Sequence, residues 1–286
     1  MTRTIYVSST SFENRDLESI LELCEEARIE GLELSVVDGH FRLPAPSRYP
    51  TRFIVHNYFP PADPPFVLNL ASQDGDSLAR ARAHCRAAID LSQRLGAEVY
   101  AAHAGFTADL SPRDLGDPRR QSAVPEASLA PRSSAYATLV ESARDLSSYA
   151  GERGVRFLIE NNVLAADAGE RGSQLLLMVG ADELAQLVED VADPAFGILI
   201  DVGHLKVSAK TCGFDRETFI DRLAPHIGAF HLSDNDGAVD SHAAFADEAW
   251  FLPRLAEHPA ATVTVELSAR PLEAIAAVRD TVARWI

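Results

Sequence analysis

Short apolar runs alternate, from one end of the chain to the other, with longer stretches in which apolar residues recur every three or four positions. The short runs predict eight strands, at Thr4–Thr10, Gly31–Val36, Arg52–Tyr58, Val99–Gly105, Arg156–Asn162, Phe196–His204, Ala229–Asn235 and Thr262–Ser268. Several, such as Phe196-Gly-Ile-Leu-Ile200, are apolar at successive positions, as strands of a parallel sheet covered on both faces are. The periodic stretches predict amphipathic helices over Asp16–Ile29, Ser77–Leu95, Ala135–Arg153, Ala181–Val191, Arg216–Ile227 and Pro271–Ile286. The last has proline in its first turn, where the missing N–H costs nothing. Strands alternating with helices place the chain in the α/β class, and eight parallel strands close as a single (β/α)₈ barrel. No shift in composition divides the chain, so residues 1–286 are read as one domain.

Two connections depart from a regular barrel. Val37–Tyr49 holds two prolines and no helical period, which shortens the second βα unit. Phe106–Ser134, after the fourth strand, is long and contains Pro112, Pro118 and Pro125. It leaves a strand's C-terminal end and therefore hangs over the mouth of the barrel, as a lid or as a mobile decoration.

Charge narrows the partners. Forty-two acidic residues against 26 basic ones give a net charge of −16, which counts against nucleic acid and anionic membrane as partners. No apolar run is long enough to cross a bilayer. Met1–Phe12 reads as a short strand with one arginine rather than a signal peptide, so a cytoplasmic location is expected. Cys24 and Cys85 fall in helical patterns and Cys212 in a loop, with no C-x-x-C pair. Only two of the basic residues are lysines, Lys206 and Lys210, and they follow the sixth strand. A genome that favours arginine explains this. The alternative is that Lys206 binds a substrate phosphate or carboxylate, or stabilises an enediolate.

Residues able to hold a metal concentrate at strand ends. His56 ends the third strand, His103 the fourth, Glu160 the fifth, and Asp201 and His204 the sixth. His231 and Asp234 end the seventh, Asp240 and His242 follow them, and Glu266 ends the eighth. Strand ends of a barrel converge on one cavity, where clustered carboxylates and imidazoles need a cation. Mixed nitrogen and oxygen donors suit Mn²⁺ or Zn²⁺ best, then Fe²⁺ or Co²⁺, with Mg²⁺ less suited as histidines accumulate. His84, His226 and His258 lie in or beside helices and His40 in a loop, which reads as surface or supporting positions.

The motifs Ile-Glu-Asn-Asn, Ile-Asp-Val-Gly-His, His-Leu-Ser-Asp-Asn-Asp and Val-Glu-Leu-Ser, in that order, resemble the xylose isomerase-like TIM barrel superfamily over essentially the whole chain. That superfamily includes sugar isomerases and epimerases, inosose-processing enzymes and endonuclease IV. For its epimerases, the resemblance implies one metal held by Glu160, Asp201, His231 and Glu266, with the two glutamates as acid and base. For its endonuclease IV branch, it implies up to three ions, with His56, His103, His204, Asp240 and His242 added. The segment after His242, Ala-Ala-Phe-Ala-Asp-Glu-Ala-Trp, departs from the Gly-rich turn common there. The resemblance also implies association into homo-oligomers, although no stretch identifies an interface.

Two reactions follow. The first is isomerisation or epimerisation of a small sugar, sugar phosphate or cyclic polyol, by proton transfer between Glu160 and Glu266 with His204 orienting a substrate oxygen. The second is a multinuclear phosphoesterase. Arg113, Arg119, Arg120 and Arg132 of the long connection are either phosphate ligands or a solvated face. Ser8–Ser11 either meets substrate hydroxyls or begins a loop. Tyr58, Phe59 and Phe106 either wall a sugar or pack the core. No Gly-rich dinucleotide fingerprint is present.

Overall fold

A computed structural model describes residues 3–13, 16–35 and 50–286. Eight parallel strands form a closed barrel in sequence order: β1 Ile5–Ser8, β2 Gly31–Leu34, β3 Arg52–His56, β4 Val99–His103, β5 Arg156–Glu160, β6 Phe196–Asp201, β7 Ile227–Leu232 and β8 Thr262–Val265. Around it lie α1 Leu17–Glu26, α2 Gly75–Leu95, α3 Pro118–Ser122, α4 Arg132–Gly151, α5 Gly169–Leu175, α6 Ala181–Val191, α7 Val202–Cys212, α8 Arg216–Leu223, α9 Leu252–Leu255 and α10 Leu272–Ala283. The expected shortened unit at Val37–Tyr49 lies outside the described residues.

The strands alternate in the direction their side chains face, which is the reason the barrel has two apolar layers. Tyr100, Phe157, Ile159, Ile198, Ile200, Phe230, Val263 and Val265 pack outward against the helices. Ile54, Val99, Ala101, Leu158, Leu199 and Ala229 form a separate cluster that fills the interior. Below this layer Arg156 enters beside Gly197. A Cβ on Gly197 would lie 2.6 Å from Arg156 Nη2 and 2.9 Å from Leu158 Cδ2, so a larger residue there would displace both side chains. The helices start on side-chain caps where the sequence offers them: Asp16 accepts from Ser19 N, Asp74 from Ser77 N and Asp215 from Thr218 N.

Several boundaries shift. The sixth strand stops at Asp201, not His204, because Asp201 caps α7 and starts the helix at once. Cys212 is therefore the last residue of that helix rather than part of a loop. The helix expected to reach Ile227 ends at Leu223, where Pro225 turns the chain through a short 3₁₀ segment into β7. The long connection is neither extended nor featureless. It carries α3 and an apolar cluster of its own, in which Phe106 and Ala108 are buried against Leu164, Ala168, Leu175 and Leu176. Thr107 N donates to Leu175 O and Ala130 N to Thr107 O, fixing both its ends.

Candidate metal centre and active site

The alternation that builds the interior also builds the site. One step of two residues beyond the last interior apolar residue lies at the mouth. His56 stands two beyond Ile54, His103 beyond Ala101, Glu160 beyond Leu158, Asp201 beyond Leu199 and His231 beyond Ala229. The ladder sets His103 level with Glu160, and Asp201 level with His231. His204 comes from the first turn of α7, Asp240 and His242 from the loop after β7, and Glu266 from just past β8.

All nine expected residues meet. Glu160 Oε2 lies 3.4 Å from His56 Nε2 and 3.6 Å from His103 Nε2. Glu160 Oε1 lies 3.2 Å from His204 Nδ1. Asp240 Oδ2 is 3.2 Å from His204 Nε2 and 2.9 Å from His242 Nε2. His231 Nδ1 stands 2.9 Å from Glu266 Oε2. The donor atoms fall into overlapping triads, His56–His103–Glu160, Glu160–Asp201–His204 and Asp201–His242–Glu266, each within 4.8 Å. A fourth, Glu33–His56–His231, adds a residue that the sequence reading missed.

Glu33 comes from β2 and is 2% exposed, so its carboxylate is committed to the interior. Its Oε2 meets His231 Nε2 at 2.8 Å and accepts from Thr264 Oγ1 at 3.1 Å. The signal was present in Gly-Leu-Glu-Leu, where one carboxylate interrupts a buried strand at an inward position.

Backbone contacts hold the ring. Asn161 Oδ1 accepts from Asp201 N at 2.8 Å while its Nδ2 donates to Asp201 O at 3.1 Å, tying the end of β5 to that of β6. Asp201 Oδ1 accepts from His204 N at 2.7 Å. Gly203 leaves room for this packing, since a Cβ there would lie 2.7 Å from Ser233 Oγ and 2.9 Å from Asp240 Oδ1. The loop bearing Asp240 and His242 needs no Gly-rich turn. Asp234 and Ala243 exchange backbone hydrogen bonds across it, and the carbonyl of His242, a residue at φ 44°, accepts from Ser268 N. Behind the site His84 Nε2 and Tyr100 Oη both reach Asn57 O, a supporting place for His84.

Burial and charge act against each other here. Burial, with His231 nearby, pushes His56 down to about 3, and burial drives His103 well below the usual imidazole range. Both rings are therefore neutral, with lone pairs free to bind a cation. Burial raises Glu160 to about 8 against the pull of His204 and His231, and also raises Asp201. Burial opposes protonation of His204, His231 and His242 too, but neighbouring carboxylates prevail. His242 is held up to about 9, chiefly by Asp240, whose own carboxyl is held far down by His204 and His242 despite burial. Glu266 is likewise lowered by His231 against its burial.

Glu160, His204 and Glu266 border a cavity of about 330 Å³ together with His56, His103, Asp240 and His242. Tyr58, Phe106, Leu176 and Val239 wall it, and Leu115, Gly116, Pro118 and Gln121 of the long connection cover it. Phe59 instead belongs to the core. Lys206 is a correction. Its Nζ donates to Asp234 Oδ1 at 2.6 Å and borders an outer recess with Lys210 and Asp236, because α7 turns it away from the mouth. Ser9 and Ser11 are buried and accept from Ser35 N and Leu267 N, so they join strand ends rather than meet a ligand. The long connection's arginines also face outward: Arg119 pairs with Asp167, Arg120 with Asp117 and Arg132 with Glu183, while Arg113 is exposed.

The sequence model of the family described as xylose isomerase-like TIM barrel matches residues 7–285. A search of curated proteins gives no match. Solved structures resemble the chain in fold. A D-tagatose 3-epimerase-like protein is 18% identical, with a TM-score of 0.75 over 99% of this chain and 96% of its own. The 3-keto-D-glucoside 4-epimerase YcjR from E. coli is 10% identical, with a TM-score of 0.68 over 99% and 98%. A protein from Thermus thermophilus, soaked with ZnCl₂, is 19% identical, with a TM-score of 0.63 over 98% of both chains. No helix among the described residues is long and apolar enough to cross a membrane.

Proposed function

The chain belongs to the xylose isomerase-like TIM barrel family, and from that premise we propose that it is a divalent-metal-dependent isomerase or epimerase of a small sugar, sugar phosphate or cyclic polyol. The observation that carries this reading is the buried ring of carboxylates and imidazoles at the mouth, with donor atoms that have no partner. Glu33 Oε1, Glu160 Oε2, Asp201 Oδ2 and His231 Nδ1 are buried and make no hydrogen bond. Buried polar atoms left in this state cost roughly 1–3 kcal/mol each. The short approach of His231 Nδ1 to Glu266 Oε2 also lacks hydrogen-bond geometry. Donors bound about 2.1 Å from one ion lie roughly 3–3.5 Å apart, the spacing of His56 Nε2 from Glu160 and of His204 Nε2 from Asp240.

Glu160, Asp201, His231 and Glu266 would hold the ion, and His56, His103, His204, Asp240 and His242 complete the ring. A divalent cation held there would polarise a substrate carbonyl and its adjacent hydroxyl and so acidify the C–H beside the carbonyl. Glu160 and Glu266 exchange the proton: one carboxylate oxygen removes it and the other glutamate returns it to the opposite face or the neighbouring carbon. Each carboxylate has two oxygens, so binding through one leaves the other for the proton. His204 donates from Nδ1 to Asn161 O at 2.9 Å, which leaves Nε2 to face Asp240 and the substrate. Tyr58, Phe106 and Leu176 exclude water from the reacting face.

The direct test is solvent exchange. With Mn²⁺ or Zn²⁺ added, a ketose panel in D₂O is expected to gain deuterium at the carbon beside the carbonyl, read by proton NMR. No exchange with any ketose or cyclic polyol ketone would remove the isomerase reading. The convergence of all nine residues, Asp240 through His204 and His242, also favours a second reading, a phosphoesterase with two or three ions, for which a bis-p-nitrophenyl phosphate assay is the discriminating measurement.

Glu33 positions His231. By accepting from Nε2 it fixes the tautomer and leaves Nδ1 toward Glu266. Glu33→Gln is expected to weaken Mn²⁺ or Zn²⁺ affinity about 10-fold or more, measured by competition with a chromophoric chelator, while the circular dichroism stays unchanged. An unaltered affinity would show that Glu33 only fills space.

A further inference from the structure

Beside the metal cavity lies a second recess of about 260 Å³, lined by Pro61, Ala62, Pro65, Phe66, Val67 and Pro112. The two cavities share Ser35, Tyr58 and Leu115 in their linings, so they adjoin. The shared wall stands next to the proposed ligands, since the Tyr58 ring is edge-on to His103 with centroids 5.9 Å apart. The recess is a different chemical environment from the ring of carboxylates. Among the described residues that line it, none is charged. The Tyr58 hydroxyl is already engaged, accepting from Leu68 N at 3.3 Å.

Its walls are also stiff. Three of the six residues are prolines, which fix the local backbone. Phe66 is braced by the Arg80 guanidinium 4.1 Å from its ring centroid and by the His84 ring at 5.6 Å. Arg80 is itself tied to the Pro64 carbonyl. A bare sugar carries an oxygen on every carbon and has only its C–H faces to place against proline and phenylalanine. A flat apolar ring gains area on such a surface and leaves no polar group unpaired.

We propose that this apolar annex binds a ring-bearing apolar substituent of the substrate, so that the physiological substrate is a substituted sugar or polyol rather than a bare one. The inference rests on the metal-centre reading above, because the reacting part of the substrate must sit at the ring of carboxylates while the substituent lies past Tyr58.

Two metal-seeking probes that differ only in their tail test it. Acetohydroxamate and 3-phenylpropanohydroxamate are titrated into Zn²⁺-loaded protein by calorimetry. The phenyl compound is expected to bind about tenfold tighter or better. Phe66→Ala and Val67→Ser, at residues that line the annex and do not line the metal cavity, are expected to remove most of that gain and leave acetohydroxamate affinity unchanged. Equal affinity of the two probes for the native protein overturns the annex while leaving the metal centre standing, and assigns the apolar surface to another occupant. A gain that survives both substitutions also overturns it, because the ring then sits elsewhere. Binding of neither probe removes the metal centre and the annex with it.

Discussion

Glu160→Gln is expected to slow solvent-deuterium exchange by about 10²–10⁴-fold, the range a single acid–base group supplies. The amide has the size of the carboxyl group and its oxygen can still face a cation, but it cannot take up and release a proton. Glu160 sits at the centre of the site: its two oxygens face His56, His103 and His204, and burial holds its proton up to about 8. Metal content measured on the same sample separates the two roles. Retained metal with lost exchange assigns the proton to Glu160, and loss of both makes it chiefly a ligand. An exchange rate within a few-fold of the native protein would mean that the proton travels by another group.

Removal of metal is expected to lower the melting temperature by about 5 °C, from roughly 2.7 kcal/mol of binding linkage at a hundredfold excess over Kd. The physical reason is the concentration of buried acid. Glu33, Glu160 and Asp201 are each at most 2% exposed, and atoms of all three have no hydrogen-bond partner. Without a cation they lean on imidazoles that neighbouring carboxylates hold protonated, His204, His231 and His242. A cation displaces those protons, so its stabilisation shrinks as pH falls and protons compete for the same donors. Differential scanning fluorimetry with dipicolinate, followed by Mn²⁺ or Zn²⁺ in excess, measures both the loss and its recovery. A melting temperature indifferent to both would contradict the account.

The barrel was legible because its determinants are local. Continuous apolar runs such as Phe196–Ile200 read as buried parallel strands, and their alternation put His56, His103, Glu160, Asp201 and His231 on one rim. What was not legible depended on three-dimensional direction. Asp201 reads as the continuation of a strand, yet it caps α7, and this moves His204 from strand to helix and turns Lys206 outward to Asp234. Glu33 was hidden because one acidic residue in a short strand looks like a solvated position until Thr264 and His231 are seen to close over it. The long connection carried no periodic pattern, so its packing through Phe106, Ala108 and Leu176 and its place over the cavity came only from tertiary contact.

The most direct measurement is the metal content of the protein, purified without chelator or metal-affinity resin, by elemental analysis. About one equivalent of a divalent transition metal per chain is predicted, falling severalfold in Asp201→Asn, since Asp201 is fully buried and its Oδ2 has no other partner. Absence of metal as isolated, together with no uptake of Mn²⁺ or Zn²⁺ on dialysis, would contradict the central claim.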